Sequence, residues 1–206
     1  MTKYFTIFVI IALFLTGVLT YQLSKDPSRL VPIQDKDSDL GLDIFEFQNW
    51  RDYSSPNGKF KVKLPTFPQQ ATENINDKNT GETRNYEMYV AEKQDGTIFM
   101  ISLITFQNFA ETFFEKDKLM RTIMNDMMES NPNNELHSVE TGKYKEFDSL
   151  DFSFGNAEMN IDAKTFIVDD TLYVLTRIVK SQESDHNEFN FFINSFDISS
   201  ETQTPE

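Results

Sequence analysis

The stretch from Trp50 to Pro65 reads WRDYSSPNGKFKVKLP, in which an aromatic segment, a turn and an alternating segment follow one another. Ser54–Gly58 is predicted to be the turn, because an Asn-Gly pair readily adopts positive φ angles. Phe60, Val62 and Leu64 then alternate with lysines, which is the period of a strand with one buried face. The stretch therefore predicts a β-hairpin.

A second hairpin is predicted downstream. Tyr86, Met88 and Val90 alternate with polar residues, and Gln94–Gly96 is a turn signal. Ile98–Phe106, IFMISLITF, is apolar at odd and even positions alike. A strand of this kind is covered on both faces, so we expect it at the centre of a sheet.

The period then changes to that of helices. Ala110–Ser130 has apolar residues at three- and four-residue spacing and ends at Pro132, which predicts an amphipathic helix. Asp185–Ser195 predicts a second helix, with Asp185 as its N-cap. Four strands are predicted between the two helices, namely Glu135–Tyr144, Leu150–Phe154, Asn160–Val168 and Thr171–Lys180. The last two strands are predicted to be joined by a turn at Asp169-Asp170.

The order of these elements predicts an α+β fold, with one antiparallel sheet of about six to eight strands flanked by helices. Several motifs between Trp50 and Ile198 resemble the PsbP-like domain family. They are Trp50-x-x-Tyr53-x-Ser55-Pro56-x-Gly58-Lys59-Phe60-x-Val62-x-Leu64-Pro65-x-x-Pro68, Leu172-Tyr-Val-Leu175 and Phe192-x-x-Ser195-Phe196. The resemblance implies a sandwich of sheet and helices and non-enzymatic work, since photosynthetic members dock on a membrane complex. It transfers no catalytic residue.

The N-terminus predicts a membrane element. Tyr4–Leu23 carries no charge and has about the 20 residues that a bilayer requires of a spanning helix. Within it, Phe5–Val18 is almost wholly apolar. The small residues expected at a signal-peptide cleavage site fit poorly, so an uncleaved anchor is favoured over a signal peptide. A buried core helix is the third interpretation. The chain is thus divided into an anchor or signal segment (1–23), an acidic linker (24–41), a globular domain (42–198) and a disordered tail (199–206).

Localisation and partners follow from this division and from charge. Residues 4–23 are expected in the lipid bilayer, with the C-terminal domain extracytoplasmic, in the periplasm or at the cell exterior. The chain carries a formal net charge of −14. Phosphate backbones repel such a protein, so we expect no nucleic-acid partner and favour a protein of the membrane or envelope.

The sequence contains two candidate metal sites, and each has a simpler interpretation. Five carboxylates occupy positions 1, 3, 5, 9 and 12 of a calcium-loop template, but position 6 holds Leu40 where the template needs glycine, and an acidic linker accounts for the same residues. The carboxylates are Asp35, Asp37, Asp39, Asp43 and Glu46. Four methionines and a histidine could offer soft ligands to Cu(I), but core packing accounts for such methionines. They are Met120, Met124, Met127, Met128 and His137.

The sequence contains no recognisable catalytic constellation, and we predict no cofactor. His137 and His186 are isolated, and His186 is expected to face water in a surface loop. Asp169-Asp170 is interpreted as a solvated hairpin tip. These observations favour a membrane-tethered, non-enzymatic accessory module that docks a protein partner. The alternatives are a carrier of a small molecule or of calcium or copper, and a hydrolase without a recognisable motif.

Overall fold

A computed structural model of the chain describes residue 47 and residues 49–76, 83–107, 116–181 and 186–199. Ten strands and two helices lie within them. The strands are β1 (Arg51–Ser54), β2 (Phe60–Leu64), β3 (Gln69–Asn76), β4 (Thr83–Glu92), β5 (Ile98–Phe106), β6 (Glu135–Tyr144), β7 (Phe147–Gly155), β8 (Met159–Val168), β9 (Thr171–Lys180) and β10 (Asp197–Ile198). The helices are α1 (Lys116–Met128) and α2 (Asn187–Ser195).

The strands form two antiparallel sheets, where the sequence predicted one. The large sheet has the order β3-β4-β5-β9-β8-β7-β6, and the small sheet has the order β1-β2-β10. The predicted hairpin is confirmed as β1 and β2, but it belongs to the small sheet. Pro65 and Pro68 follow β2 and cannot donate ladder hydrogen bonds, so the chain leaves one sheet and enters the other between them.

The interior of the large sheet follows the apolar pattern. Ile98–Phe106 was predicted to be a strand covered on both faces at the centre of the sheet; it is an interior strand, but β9 takes the central position beside it. Along β5, Phe99, Ile101 and Leu103 face the small sheet and α2, while Met100 and Ile104 face the opposite side. Both faces are therefore buried, as the unbroken apolar sequence requires.

Aromatic rings fill the space between the large sheet, the small sheet and α2. Phe60 of β2 stacks on Phe196 with ring centroids 5.2 Å apart, and Phe166 of β8 stacks on Tyr144 at 4.2 Å. Phe192 of α2 is fully buried against this cluster. Burying each such ring stabilises the fold by about 2 to 3 kcal/mol, so these contacts hold the hairpin and α2 on the sheet.

Helix α1 packs on the opposite face, above β7 and β8. Its buried side chains meet Phe152 and Phe154 of β7. The helix predicted from Ala110 is described from Lys116 onward and ends at Met128, two residues before the predicted end. For α2, the N-cap residue is His186 rather than the predicted Asp185, which lies outside the described residues, and the His186 side chain makes no capping bond.

The predicted anchor or signal segment (1–23) and the acidic linker (24–41) lie outside the described residues. Neither α1 nor α2 has the length and apolar character that crossing a bilayer would take.

At the C-terminal end of the described residues, the Ser199 amide donates to the Lys59 carbonyl oxygen at 3.0 Å, which extends the pairing of β10 with β2 by one hydrogen bond.

Candidate docking surface

Strand β6 is one edge of the large sheet and is exposed over its first nine residues. Lys145, in the left-handed region with φ 54°, occupies the tight turn that joins it to β7. Among the described residues, three large hydrophobic side chains are exposed, and two of them lie on this strand. They are Leu136, 43% exposed, and Val139, 38% exposed. An edge of this kind presents unpaired backbone groups beside apolar side chains.

A bulge puts both apolar residues on one face. The pairing of β6 with β7 shifts between Leu136 and Ser138, and this leaves His137 unpaired. Leu136 then lies opposite Phe154, and Val139 lies opposite Phe152. Both phenylalanines belong to the core beneath α1. The apolar face of the sheet therefore continues to its edge as two exposed side chains, whose spacing of three does not fit an unbroken strand.

The chain around this edge is acidic. Between Thr122 and Gly142 it carries four carboxylates and no lysine or arginine; the carboxylates are Asp126, Glu129, Glu135 and Glu140. Burial, with a smaller contribution from Glu129, raises the pKa of Asp126 from 3.8 to about 6. The rise arises mainly because burial disfavours the charged form of this carboxyl group, and Glu129 adds a smaller repulsion.

Glu135, Leu136, Val139 and Glu140 together are called the edge surface here. Charged residues and a bulge ordinarily protect a free edge from pairing with other strands, and Glu135, Glu140 and the shift at His137 fit that role. Exposed leucine and valine side chains give no such protection. Leu136 and Val139 lie on the α1 face of β6, and the neighbouring Glu135 and Glu140 alternate onto the other face. A partner strand that suits this edge has apolar side chains on one face and basic side chains on the other.

The turn of the opening hairpin makes a second cluster of polar groups. Asn57 and Lys59 donate to Glu87 of β4 at 2.7 and 2.8 Å, and the Tyr89 hydroxyl donates to the same carboxylate at 2.9 Å. Burial alone would raise the pKa of Glu87, but the bonds from Lys59, Tyr89 and Asn57 outweigh it and hold this pKa below its ordinary value. Each group has partners within the fold, so this cluster secures the hairpin on the large sheet.

No family model and no curated protein matches the chain. The fold is similar to that of a cyanobacterial PsbP. The similarity is to the solution structure of CyanoP from Synechocystis sp. PCC 6803, at 12% sequence identity and a TM-score of 0.47. It covers 80% of this chain and 98% of that chain. At this identity and TM-score the similarity is one of fold and is not extended to function.

The candidate copper ligands, for which core packing was the favoured interpretation, are separated between core and surface. Met120, Met124 and Met127 lie on the buried face of α1 and are 2–7% exposed, and Met128 of the same helix is partly buried beside them. His137 is exposed on the bulge of β6. The packing interpretation therefore fits the three buried thioethers.

The candidate calcium ligands, for which the acidic linker was the favoured interpretation, lie outside the described residues; they are Asp35, Asp37, Asp39, Asp43 and Glu46. Within the part of the chain that the structure describes, no group of three or more histidines and carboxylates is arranged to hold a metal ion. Asp169 and Asp170 are exposed in the turn between β8 and β9, as predicted, and Asp169 has a φ of 52°.

His186 does more than face water. Its Nδ1 lies 3.4 Å from Oδ1 of Asp162, whose other oxygen accepts hydrogen bonds from the Arg177 guanidinium at 2.7 and 3.1 Å. Asp162 and Arg177 are buried, so each charge compensates the other in the sheet. The contact with His186 links the start of α2 to this pair. The His186 side chain is 61% exposed, in agreement with the expectation that it faces water. The additional contact with Asp162 was not predicted, because it depends on the folded positions of β8 and α2.

Proposed function

We propose that this protein is a membrane-tethered, extracytoplasmic accessory module that docks a protein partner and catalyses no reaction. The observation that carries the proposal is the edge surface, where Leu136 and Val139 are exposed at the free edge of the large sheet. A partner segment that pairs with β6 would satisfy backbone groups and bury both side chains.

The chemistry of the partner segment follows from the edge surface. Complete burial of the exposed fractions of Leu136 and Val139 would contribute roughly 1 kcal/mol each, so each side chain is worth about fivefold in affinity. Glu135 and Glu140 favour lysine or arginine on the partner and repel acidic segments. The partner is therefore expected to be a membrane or envelope protein with an extended segment that carries apolar and basic side chains.

The tether is supported by the sequence of residues 4–23, which has the length and apolar character of a bilayer-spanning helix. A tether restricts the domain to a layer next to the membrane and so raises its effective concentration toward membrane-bound partners. A weak edge contact is then sufficient for stable docking.

Affinity isolation of the full chain from detergent-extracted membranes tests the docking proposal. Val139→Lys places a cation on the apolar face of β6, where the partner is expected to bring apolar side chains, and Thr72→Lys introduces a lysine on exposed β3 at the opposite edge. We expect one specific partner with the wild type and with Thr72→Lys, and about tenfold less with Val139→Lys. The absence of a specific partner, or equal recovery with all three proteins, would contradict the proposal.

Protease protection tests the placement. A C-terminally tagged full chain is expected to sediment with membranes and to lose its tag when protease is added outside intact cells or spheroplasts. A tag that stays protected until the membrane is lysed would show that the domain faces the cytoplasm. Recovery of the intact chain in the soluble fraction would refute the tether.

A further inference from the structure

A cleft of about 360 Å³ opens between α2 and the end of the large sheet where β6 turns into β7. Its volume lies at the lower end of the range found for small-molecule sites. The cleft is on the face of the sheet that carries α2, whereas Leu136 and Val139 lie on the face that carries α1. The cleft is therefore separate from the apolar part of the edge surface, whereas Glu140 lies opposite Asp151 on the face of the cleft.

One side of the cleft is apolar. Phe189 and Ile193 of α2 line it together with Phe196, which follows the helix. The Tyr144 ring lines it as well, but the Tyr144 hydroxyl donates to the Phe196 carbonyl oxygen. The phenol is thus committed to the fold, and what these residues offer a ligand is a hydrocarbon surface.

The other side carries hydrogen-bond donors. Lys143, Lys145 and Lys164 line the cleft, and so do the exposed amides Asn190 and Asn194, one helical turn apart on α2. Among the described residues that line it, Asp151 is the single carboxylate. The whole chain has 33 acidic and 19 basic residues, so the lining reverses the balance of the molecule.

The three lysines also have carboxylate neighbours. Lys143 pairs with Asp148, Lys145 pairs with Asp197, and Lys164 pairs with Asp151. Every ammonium group has three N–H donors, so pairing with one carboxylate leaves donors for a ligand. The three pairs have a formal charge of zero, which disfavours a polyanion because it would meet these carboxylates. A single carboxylate would be held by the remaining N–H donors of the lysines and by the α2 amides.

We propose that this cleft binds a small monocarboxylate with an apolar body. The carboxylate lies toward Lys145, Lys164 and the amides of α2, and the apolar body lies against Phe189 and Ile193. The proposal adds a small-ligand site to the docking function and does not depend on it.

Benzoate is the probe, and NMR spectra of the full chain in nanodiscs of neutral lipid are the measurement. Saturable shifts at millimolar benzoate are expected in the Ile193 methyl signals and in the side-chain amide signals of Asn190 and Asn194. Lys164→Met should weaken binding about fivefold, since it removes one charge contact. Lys118→Met, on α1 and so on the opposite face of the sheet, should leave it unchanged.

Two further probes and one further variant keep the test decisive. Benzyl alcohol shares the ring but not the charge, and inorganic phosphate carries charge but no apolar body, so both should bind more weakly than benzoate. Asn194→Asp alters an exposed position, and its added charge should weaken benzoate binding even if Lys164→Met fails to fold. Absence of saturable shifts, equal binding of benzyl alcohol, or tighter binding of phosphate would overturn the proposal.

Discussion

At the residue scale, Asp126 is a carboxyl group whose charged form the fold opposes. No described residue donates a hydrogen bond to its buried Oδ2, and burial together with Glu129 raises its pKa to about 6. A carboxyl pKa that is raised on folding contributes stability at low pH, and this contribution is lost as pH rises from about 4 to about 6. Above that window the buried charge costs stability.

Asp126→Asn should therefore stabilise the protein at pH 7.5 and have little effect at pH 4. The free energy of unfolding should rise by about 1 kcal/mol. This is less than the full pKa shift would give, because Asp126 is partly exposed and solvent screens its charge. Thermal unfolding at both pH values checks this. Glu129→Gln should give a smaller gain with the same sign. A loss of stability at pH 7.5 for Asp126→Asn would contradict the assignment.

Glu87 is the opposite case, since hydrogen bonds to its charged form hold its pKa below the ordinary 4.5. Glu87→Gln should cost about 2 kcal/mol at neutral pH, the worth of charge-assisted bonds to Lys59 and Tyr89. This stabilisation is complete above pH 4.5 and is lost as pH falls through the lowered pKa. Denaturant unfolding measures the difference against Glu73→Gln, an exposed glutamate on β3 that should cost under about 0.5 kcal/mol. Equal costs would show that the network contributes nothing.

At the element scale, the turn between β7 and β8 depends on the absence of a side chain at Gly155. A Cβ there would lie 2.5 Å from the Met159 carbonyl oxygen and 2.6 Å from Oδ1 of Asn160. At Gly142 on β6, the nearest atom would be Oγ of Ser149 at 3.6 Å, an ordinary contact. Gly142 therefore serves as the control for Gly155, because a methyl group fits at Gly142 and clashes at Gly155.

Gly155→Ala should cost about 1 to 3 kcal/mol, because the backbone of the turn must move to admit the methyl group. Gly142→Ala should change the free energy of unfolding by less than about 1 kcal/mol. Denaturant unfolding of both variants makes the comparison. If Gly142→Ala were the more destabilising of the two, the described geometry of the β7–β8 turn would be incorrect.

Elements with a clear local pattern were predictable from the sequence. Phe60, Val62 and Leu64 alternate and are buried in β2, and the continuous apolar run Ile98–Phe106 is an interior strand. Strand β3 was missed, because Gln69–Asn76 is almost wholly polar and is held by its pairing with β4. Edge strands need no buried pattern, so periodicity carries no signal for them.

The candidate docking surface could not be predicted, because it depends on strand order. The pattern of Glu135–Tyr144 indicated a strand but did not place it at an edge. The spacing of Leu136 and Val139 also conflicts with a period of two, and only the bulge at His137 reconciles it. Likewise, the pairing of Asp162 with Arg177 arises from the register of β8 with β9 and has no local signal.

At the scale of the whole molecule, the described residues leave the two edges of the large sheet as its open backbone surfaces. The small sheet and α2 pack on one face, and α1 packs on the other. Strands β3 and β6 are the two edges, and β6 is the one with exposed apolar side chains. A partner that recognises this molecule by strand addition is therefore expected at β6, with the N-terminal apolar segment keeping the domain near the membrane.

Site-specific photo-crosslinking in native membranes tests this central claim most directly. A photoreactive amino acid at Val139 of the full chain should give one discrete adduct with a membrane or envelope protein, and the same group at Thr72 on β3 should give none. Leu136→Lys, combined with the photoreactive amino acid at position 139, should reduce the yield of the adduct several-fold. No adduct from Val139, or the same adduct from Thr72, would contradict docking through β6.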